Sequence, residues 1–138
     1  MAALGIFMRF LHIISAITLL GGIFAWRFGA IPATAALASE TRVKVGDAIA
    51  ATWRPFVIFA TIGLLISGIY NFLNKTGLAP AYHAVIGVKI LLALHVFAGA
   101  ILAARPNNLR RERQLTGVAA SGIVIVILSA VLRWLQMP

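Results

Sequence analysis

The sequence contains no cysteine and only three acidic residues. Without cysteine, the chain has no disulfide bond, no thiolate metal site and no cysteine-held iron–sulfur cluster. The acids are Glu40, Asp47 and Glu112, and all three are predicted to lie in loops. No Ser/His/Asp set, carboxylate pair or phosphate-binding loop is present, so hydrolytic chemistry inside the apolar segments is not expected.

Apolar residues dominate the composition of the sequence. Of the 138 residues, 62% are hydrophobic and 11% are charged, and the mean hydropathy is +1.00. Soluble proteins carry about 25% charged residues. A bilayer-spanning helix needs about 20 apolar residues, and four segments meet this length: about 4–26, 52–73, 82–104 and 116–135. The chain is therefore predicted to be all-α, with residues 1–138 forming a single transmembrane domain.

The connections between these segments predict their arrangement. Residues 74–81 are expected to form a turn and residues 105–115 a basic turn. The longest connection, 27–51, is predicted to hold a short amphipathic helix from Ile31 to Ala38. Short loops make neighbouring helices antiparallel, which predicts an integral membrane four-helix up-down bundle. The first segment is interpreted as a retained helix rather than a signal peptide, because three further spans follow it.

Positive charge predicts the orientation of the bundle. Twelve Lys and Arg residues against three acids give a formal charge of +9. Eight of them lie around two connections: Arg27, Arg42, Lys44, Arg54, Arg105, Arg110, Arg111 and Arg113. The positive-inside rule places both basic loops in the cytoplasm and both termini on the periplasmic side of a bacterial inner membrane. The expected charged partner is the lipid bilayer and not a nucleic acid, because these short loops offer no structural element that could recognise nucleic-acid bases.

Ionisable side chains inside the spans are the candidate functional residues, because each costs roughly 3 kcal/mol on insertion scales. They are Arg9, His12, Lys89 and His95. His12 lies in "LHIISA" (11–16) and His95 in the similar stretch "LHVFAG" (94–99). Small residues after each histidine leave room for a flat ligand. The two imidazoles suit one iron held from both sides of a porphyrin, two separate sites, or simple hydrogen bonds between helices.

Lys89 and Arg9 are cations that suit an acidic ligand. Lys89 is expected near the depth of His12, whereas His95 is expected about 6–10 Å deeper. Lys89 then has three functional interpretations: a propionate partner, a second axial ligand or a proton-transfer group. Arg9 shares a helix face with His12 and suits a propionate salt bridge. The simpler interpretation of both cations is that their long side chains reach the interface.

Two segments resemble a known group of membrane proteins. The stretch "YHAVIGVKILLALHVFAGAILAAR", residues 82–105, is similar to the third helix of a broad four-helix superfamily. This superfamily includes the copper-resistance protein D group and the HemJ-type protoporphyrinogen oxidases. The stretch "FMRFLHIISAITLLGGIFAWRF", residues 7–28, resembles their first helix. The resemblance implies haem b, or another porphyrin-related role, at His12, and it places the intramembrane lysine of the family at Lys89.

One departure bears on which member the chain is closest to. The oxidase subgroup carries an aromatic-His-x-Lys pattern on this helix, and here Gly87 stands two residues before Lys89. The additional His95 suits a bis-histidine cytochrome better than it suits the oxidase pattern. The leading hypothesis is therefore a cytochrome-b-like protein in which His12 and His95 ligate the haem iron, with Lys89 or Arg9 near the propionates.

This hypothesis predicts electron transfer with a quinone or a redox partner protein, or porphyrinogen oxidation by an oxidoreductase coupled to quinone. Two other classes remain open. The first is copper handling, because Met8 and His12 lie one helical turn apart and suit Cu(I). The second is a structural membrane subunit without cofactor, in which the histidines only join helices. The sequence also leaves a homo-oligomer open.

Overall fold

The computed structural model describes residues 2–76 and 80–135. In this part of the chain every regular element is helical, and four helices are long and apolar enough to cross a membrane. They are α1 (Ala2–Phe24), α2 (Ser39–Leu73), α3 (Pro80–Ala103) and α4 (Arg111–Trp134). The predicted all-α, four-span architecture is confirmed.

The connection between α1 and α2 is more helical than predicted. After α1 the chain continues through a π-helical turn (Ala25–Ala30) and one short turn (Ile31–Ala33). The predicted amphipathic helix from Ile31 to Ala38 is therefore wrong, because helical structure ends at Ala33. α2 begins at Ser39, so Glu40 and Asp47 lie in a helix rather than in a loop. Hydropathy detects only the part of a helix that is apolar, and the first residues of α2 are polar.

The other two connections also differ from the prediction. Residues 77–79 of the predicted 74–81 turn lie outside the described residues, and α3 begins at Pro80, a position that tolerates proline. α4 begins at Arg111 rather than near residue 116, so Glu112 lies in its first turn and not in a loop. Asn107 turns the chain toward α4 with a left-handed φ of 50°, which asparagine tolerates well.

The four helices form two antiparallel hairpins. α1 packs along α2, and α3 packs along α4, whereas the two hairpins make fewer contacts with each other. The contacts between hairpins run from α2 to α3 and from α4 to α1, which closes an up-down ring. We call the end with Arg27, Arg54 and Arg111 the inner end, and the end with residue 2 and residues 74–76 the outer end.

The buried core lies in the inner half of the bundle. In α1 the buried residues are Ser15, Leu19 and Ile23, with none nearer the outer end among the described residues. α2 has no buried residue beyond Ser67, and α3 has none between Tyr82 and Val96. In α4 no residue between Gly122 and Leu132 is buried. Outward of Ser15, Ser67, Val96 and Gly122, the buried residues of the described chain are Tyr82 and Leu132, so burial is concentrated toward the inner end.

Glycines allow close helix approach within both hairpins. A Cβ on Gly63 of α2 would collide with Ser15 Oγ of α1, and a Cβ on Gly99 of α3 would collide with Val118 of α4. Small residues at such crossings let backbones approach and gain van der Waals contact, which is the main source of helix association in lipid. Gly63 and Gly99 therefore lie on the faces that meet inside each hairpin.

An ion pair ties the two hairpins together at the inner end. Arg111 Nη2 of α4 lies 2.7 Å from Asp47 Oδ1 of α2, and the Arg111 guanidinium lies 5.4 Å from the centre of the Trp26 ring. The backbone N–H of Asn107 also donates to both Asp47 oxygens, at 3.1 and 3.2 Å. The hydrogen bonds from Arg111 and Asn107 lower the pKa of Asp47 below its ordinary value.

Candidate functional site

His12 is held by a serine on the neighbouring helix. Its Nδ1 lies 3.0 Å from Ser67 Oγ of α2, and Ser67 is fully buried. The Ser67 hydroxyl donates to the carbonyl oxygen of Gly63 at 2.5 Å. A hydroxyl has one proton, so Ser67 accepts its second hydrogen bond from His12 Nδ1–H. This arrangement leaves Nε2 of His12 unprotonated, with a free lone pair.

That tautomer is the one found in metal-ligating histidines. Such residues usually donate one ring N–H to a neighbouring acceptor, which orients the ring and leaves the other nitrogen for the metal. Gly68, next to Ser67, contributes no side chain beside the ring, and a Cβ there would lie 3.9 Å from His12 Cε1. His12 is half-buried and lies in the outer half of the bundle, where few side chains are buried. The donor set therefore fits an iron porphyrin with one histidine ligand from α1.

His95 repeats this arrangement in the second hairpin. Its Nδ1 lies 2.9 Å from Ser121 Oγ of α4, and a Cβ on Gly117 would lie 3.9 Å from its Cε1. Two differences separate it from His12. His95 is exposed, and within the described part of the chain no carbonyl accepts from Ser121, so the tautomer of His95 is not fixed in the same way.

The contacts between hairpins set the depth of each histidine. Leu20 packs against Gly122, and Arg54 donates to the carbonyl of Ala104. Counting residues from these two contacts at 1.5 Å per residue places His95 about 6–12 Å closer to the inner end than His12. Metal–imidazole bonds are about 2 Å long, so one iron needs the two ring nitrogens at nearly the same depth. The register favours separate roles for the two histidines.

Lys89 is half-buried in α3, about 9 Å farther out along the helix than His95, which puts it near the depth of His12. Lys75 stands farther out, where its Nζ donates to the hydroxyl of Tyr82 at 2.9 Å and lies 5.1 Å from the centre of the Tyr82 ring. Arg9 lies exposed on α1, one turn from His12. The outer half of the bundle is therefore cationic.

No carboxylate of the described chain neutralises these cations. Glu40 pairs with Lys44, Asp47 with Arg111 and Glu112 with Arg27. All three acids of the sequence are thus engaged at or beyond the inner end. The cationic outer half suits an acidic ligand, such as the propionate edge of a porphyrin.

The third histidine lies near the outer end. His83 is exposed at the start of α3, and its ring is edge-on to that of Tyr82, with 6.3 Å between the ring centres. Within residues 2–76 and 80–135, no three His, Cys, Asp or Glu side chains come together as a metal-binding group. Haem iron needs only one or two protein ligands, so this finding leaves the haem hypothesis as it was.

Sequence reasoning missed the two serines. Ser67 and Ser121 fix the positions of the histidine rings, yet neither was singled out among the candidates. The available signal was a hydroxyl in an apolar span, because serine side chains often form hydrogen bonds between membrane helices. Identifying the partner requires the register of the two helices, which the sequence alone does not provide.

Comparison of the chain with protein-family models, with curated proteins and with solved structures gives no match. The resemblance to the four-helix superfamily therefore rests on the two segments 7–28 and 82–105, and it stays a prediction.

Proposed function

We propose that this multi-pass membrane protein binds haem b, or a closely related porphyrin, with His12 Nε2 as an axial ligand. The observation that carries the proposal is the Gly63–Ser67–His12 chain of hydrogen bonds, which leaves that nitrogen free to bind a metal. When bound, haem supplies a one-electron redox centre. The protein contributes a fixed ligand, an apolar surrounding and neighbouring cations.

The shape and charge of the outer half support this assignment. A porphyrin is flat and largely apolar, with acidic propionates along one edge. Few side chains are buried in the outer half, so its helices offer apolar surface, and Lys89 and Arg9 supply cations without a carboxylate partner in the described chain. By its depth, Lys89 is the first candidate for a propionate partner or a second axial ligand, and His95 is the alternative second ligand.

The proposed redox role requires a partner that exchanges electrons with the haem. A haem held within a bilayer exchanges electrons most directly with a quinone or with a membrane-bound redox protein. Two activities share this site: electron transfer through the haem, and oxidation of a porphyrinogen with electrons passed to the quinone pool. The second activity would make the protein an oxidoreductase.

A structural role is the second candidate, and the His95–Ser121 contact favours it. An exposed histidine that forms a hydrogen bond with a serine of its own hairpin suits a purely structural contact between two helices. Such a hydrogen bond contributes about 0.6–2 kcal/mol to helix association. If both histidines act only in this way, His12→Ala and His95→Ala should reduce stability to a similar extent and change no absorption band.

The charge distribution supports an orientation in a bacterial inner membrane, with the inner end in the cytoplasm and both termini in the periplasm. The natural chain has no cysteine, so single cysteines report on topology without background. Lys75→Cys should react with a membrane-impermeant maleimide applied to the periplasmic side, and Arg110→Cys should react only after the membrane is opened. The reverse pattern would overturn the orientation.

The function is tested by a dithionite-reduced minus oxidised spectrum of protein purified from cells with ample haem. We expect a sharp α-band in the wild type that is lost in His12→Ala and retained in His95→Ala. Loss in both variants would indicate a bis-histidine haem. A flat wild-type spectrum would overturn the proposal and leave copper handling or a structural role.

A further inference from the structure

A groove opens between α2 and α3 at the inner end, away from His12. It has a volume of about 240 Å³. Its walls are apolar and include Val57, Ile58 and Ile101, and two arginines, Arg54 and Arg105, stand at one end. The proposed haem site does not use this groove, because it lies in the inner half of the bundle.

The two arginines have no counter-charge within the described chain. The three carboxylate side chains of the sequence pair elsewhere, with Lys44, Arg111 and Arg27. Two guanidinium groups that line one groove attract an anion. An anion that binds there comes from outside the described chain.

Arg54 is oriented to receive such an anion. Its Nε and Nη2 donate to the carbonyl oxygen of Ala104, at 3.2 and 2.8 Å. This contact fixes the plane of the guanidinium at the groove and leaves Nη1 with two N–H donors for another acceptor. Arg105 follows Ala104 directly in the chain and also lines the groove. Planar guanidinium donors match the oxygens of a phosphate.

The groove also lies at the depth of lipid headgroups. Arg54 is near the inner limit of the second predicted span, and Arg105 comes directly after the third. From these arginines the apolar walls extend along α2 and α3 toward the middle of the bilayer. A phosphate at the arginines would therefore place an acyl chain against the walls of the groove.

We propose that this groove is a specific site for one anionic phospholipid, with its phosphate between Arg54 and Arg105 and an acyl chain along Val57, Ile58 and Ile101. A quinone fits less well, because a neutral ring gives two arginines no compensating charge. The lipid would join α2 to α3 where the two hairpins meet. The proposal is independent of haem binding.

Native mass spectrometry of the delipidated full-length protein tests the site, with phosphatidylglycerol and phosphatidylcholine of identical acyl chains as probes. We expect one phosphatidylglycerol to bind about ten-fold or more tightly than phosphatidylcholine, given two arginines at the surface. Arg105→Gln and Arg54→Gln should each remove most of this preference. Ile101→Trp should weaken binding by filling the groove while leaving both charges in place.

Arg110→Gln is the matched control, because this residue belongs to the same basic connection and does not line the groove. It should keep the wild-type preference. Equal binding of the two lipids, or an equal loss in Arg110→Gln and Arg105→Gln, would overturn the proposal. So would full displacement by glycerol phosphate, which indicates a phosphate site without a lipid, or displacement by ubiquinone. If Arg54→Gln does not fold, the lipid preference of Arg105→Gln alone tests the proposal. The Arg105 side chain makes no hydrogen bond within the described chain, so its replacement should not disturb folding.

Discussion

His12 Nδ1 and Ser67 Oγ lie 3.0 Å apart across the interface between α1 and α2. A second pair, His95 and Ser121, repeats this contact at 2.9 Å between α3 and α4. Only the first serine has a carbonyl acceptor for its own proton in the described chain. The chain therefore contains two nearly matched His–Ser pairs, of which one is built to leave Nε2 free, and each pair is an internal control for the other.

Replacing Ser67 with alanine should weaken haem binding without removing the ligand. His12 would lose the acceptor that fixes its tautomer and ring orientation, and loss of such a partner typically lowers metal affinity about 10–100-fold. The measurement is a haemin titration of the purified protein, followed by absorption. Ser121→Ala is the matched variant and should bind haem as the wild type does. An equal loss in both would mean that the effect comes from bundle stability and not from His12.

The second axial ligand can be identified from the spin state of the iron. Lys89 is closer in depth to His12 than His95 is, so we expect Lys89→Leu, which offers no ligand atom, to convert a six-coordinate low-spin haem into a five-coordinate high-spin haem. His95→Ala should leave the spin state unchanged. Resonance Raman or electron paramagnetic resonance spectra of the ferric protein measure this directly. If His95→Ala produces the conversion instead, the bis-histidine hypothesis is correct.

Closer packing in the first hairpin should be destabilising. Gly63→Ala places a methyl group against Ser15 Oγ in a fully buried position, and rotating the hydroxyl aside still leaves the methyl 3.3 Å from Ser15 Cβ and 3.4 Å from Leu11 Cδ1. We expect a loss of about 1–3 kcal/mol in the free energy of unfolding, as for other overpacked sites. Gly21→Ala adds the same methyl group where nothing lies within 4 Å, so it reports the intrinsic effect of alanine. Reversible unfolding in detergent compares the two, and equal effects would contradict the described packing.

The Asp47–Arg111 pair should make stability depend on pH in the acid range. The pKa of Asp47 is lowered in the folded protein, so the unfolded chain takes up the proton first. The stabilisation is therefore complete above the unfolded value of about 3.8 and is lost as the pH falls below it. Unfolding of the wild type and of Asp47→Asn, compared between pH 3 and pH 6, should show this dependence only in the wild type.

Glu40→Gln is the control for that comparison. The Glu40–Lys44 pair is exposed, with 80% and 74% of the two side chains accessible, and exposed pairs contribute little to stability. The variant should follow the wild-type curve. A curve that resembles that of Asp47→Asn would mean that the acid dependence reflects overall charge rather than the tie between the hairpins.

The sequence predicted the four spans because hydropathy is the dominant requirement of a bilayer. It missed the extension of α2 to Ser39 and the start of α4 at Arg111, since both additions are polar and lie outside the apolar runs. His12 and Lys89 were identified by the cost of a charge in lipid, and their similar depth was predicted by counting residues along the spans.

The concentration of buried residues toward the inner end could not be predicted in the same way. It depends on how two hairpins cross, and therefore on contacts such as Leu20 with Gly122 and Asp47 with Arg111. These pairs are far apart in sequence and carry no local pattern. Ser67 and Ser121 were missed for the same reason, because their role arises only when two helices take a particular register.

The most direct test of the central claim is imidazole rescue of His12→Gly. This variant removes the ligand and leaves a space into which free imidazole fits. We expect the purified variant to lack the reduced α-band and to recover it when haem and millimolar imidazole are added, while His95→Gly keeps the band without any addition. A normal α-band in His12→Gly without imidazole would show that His12 does not ligate the haem iron.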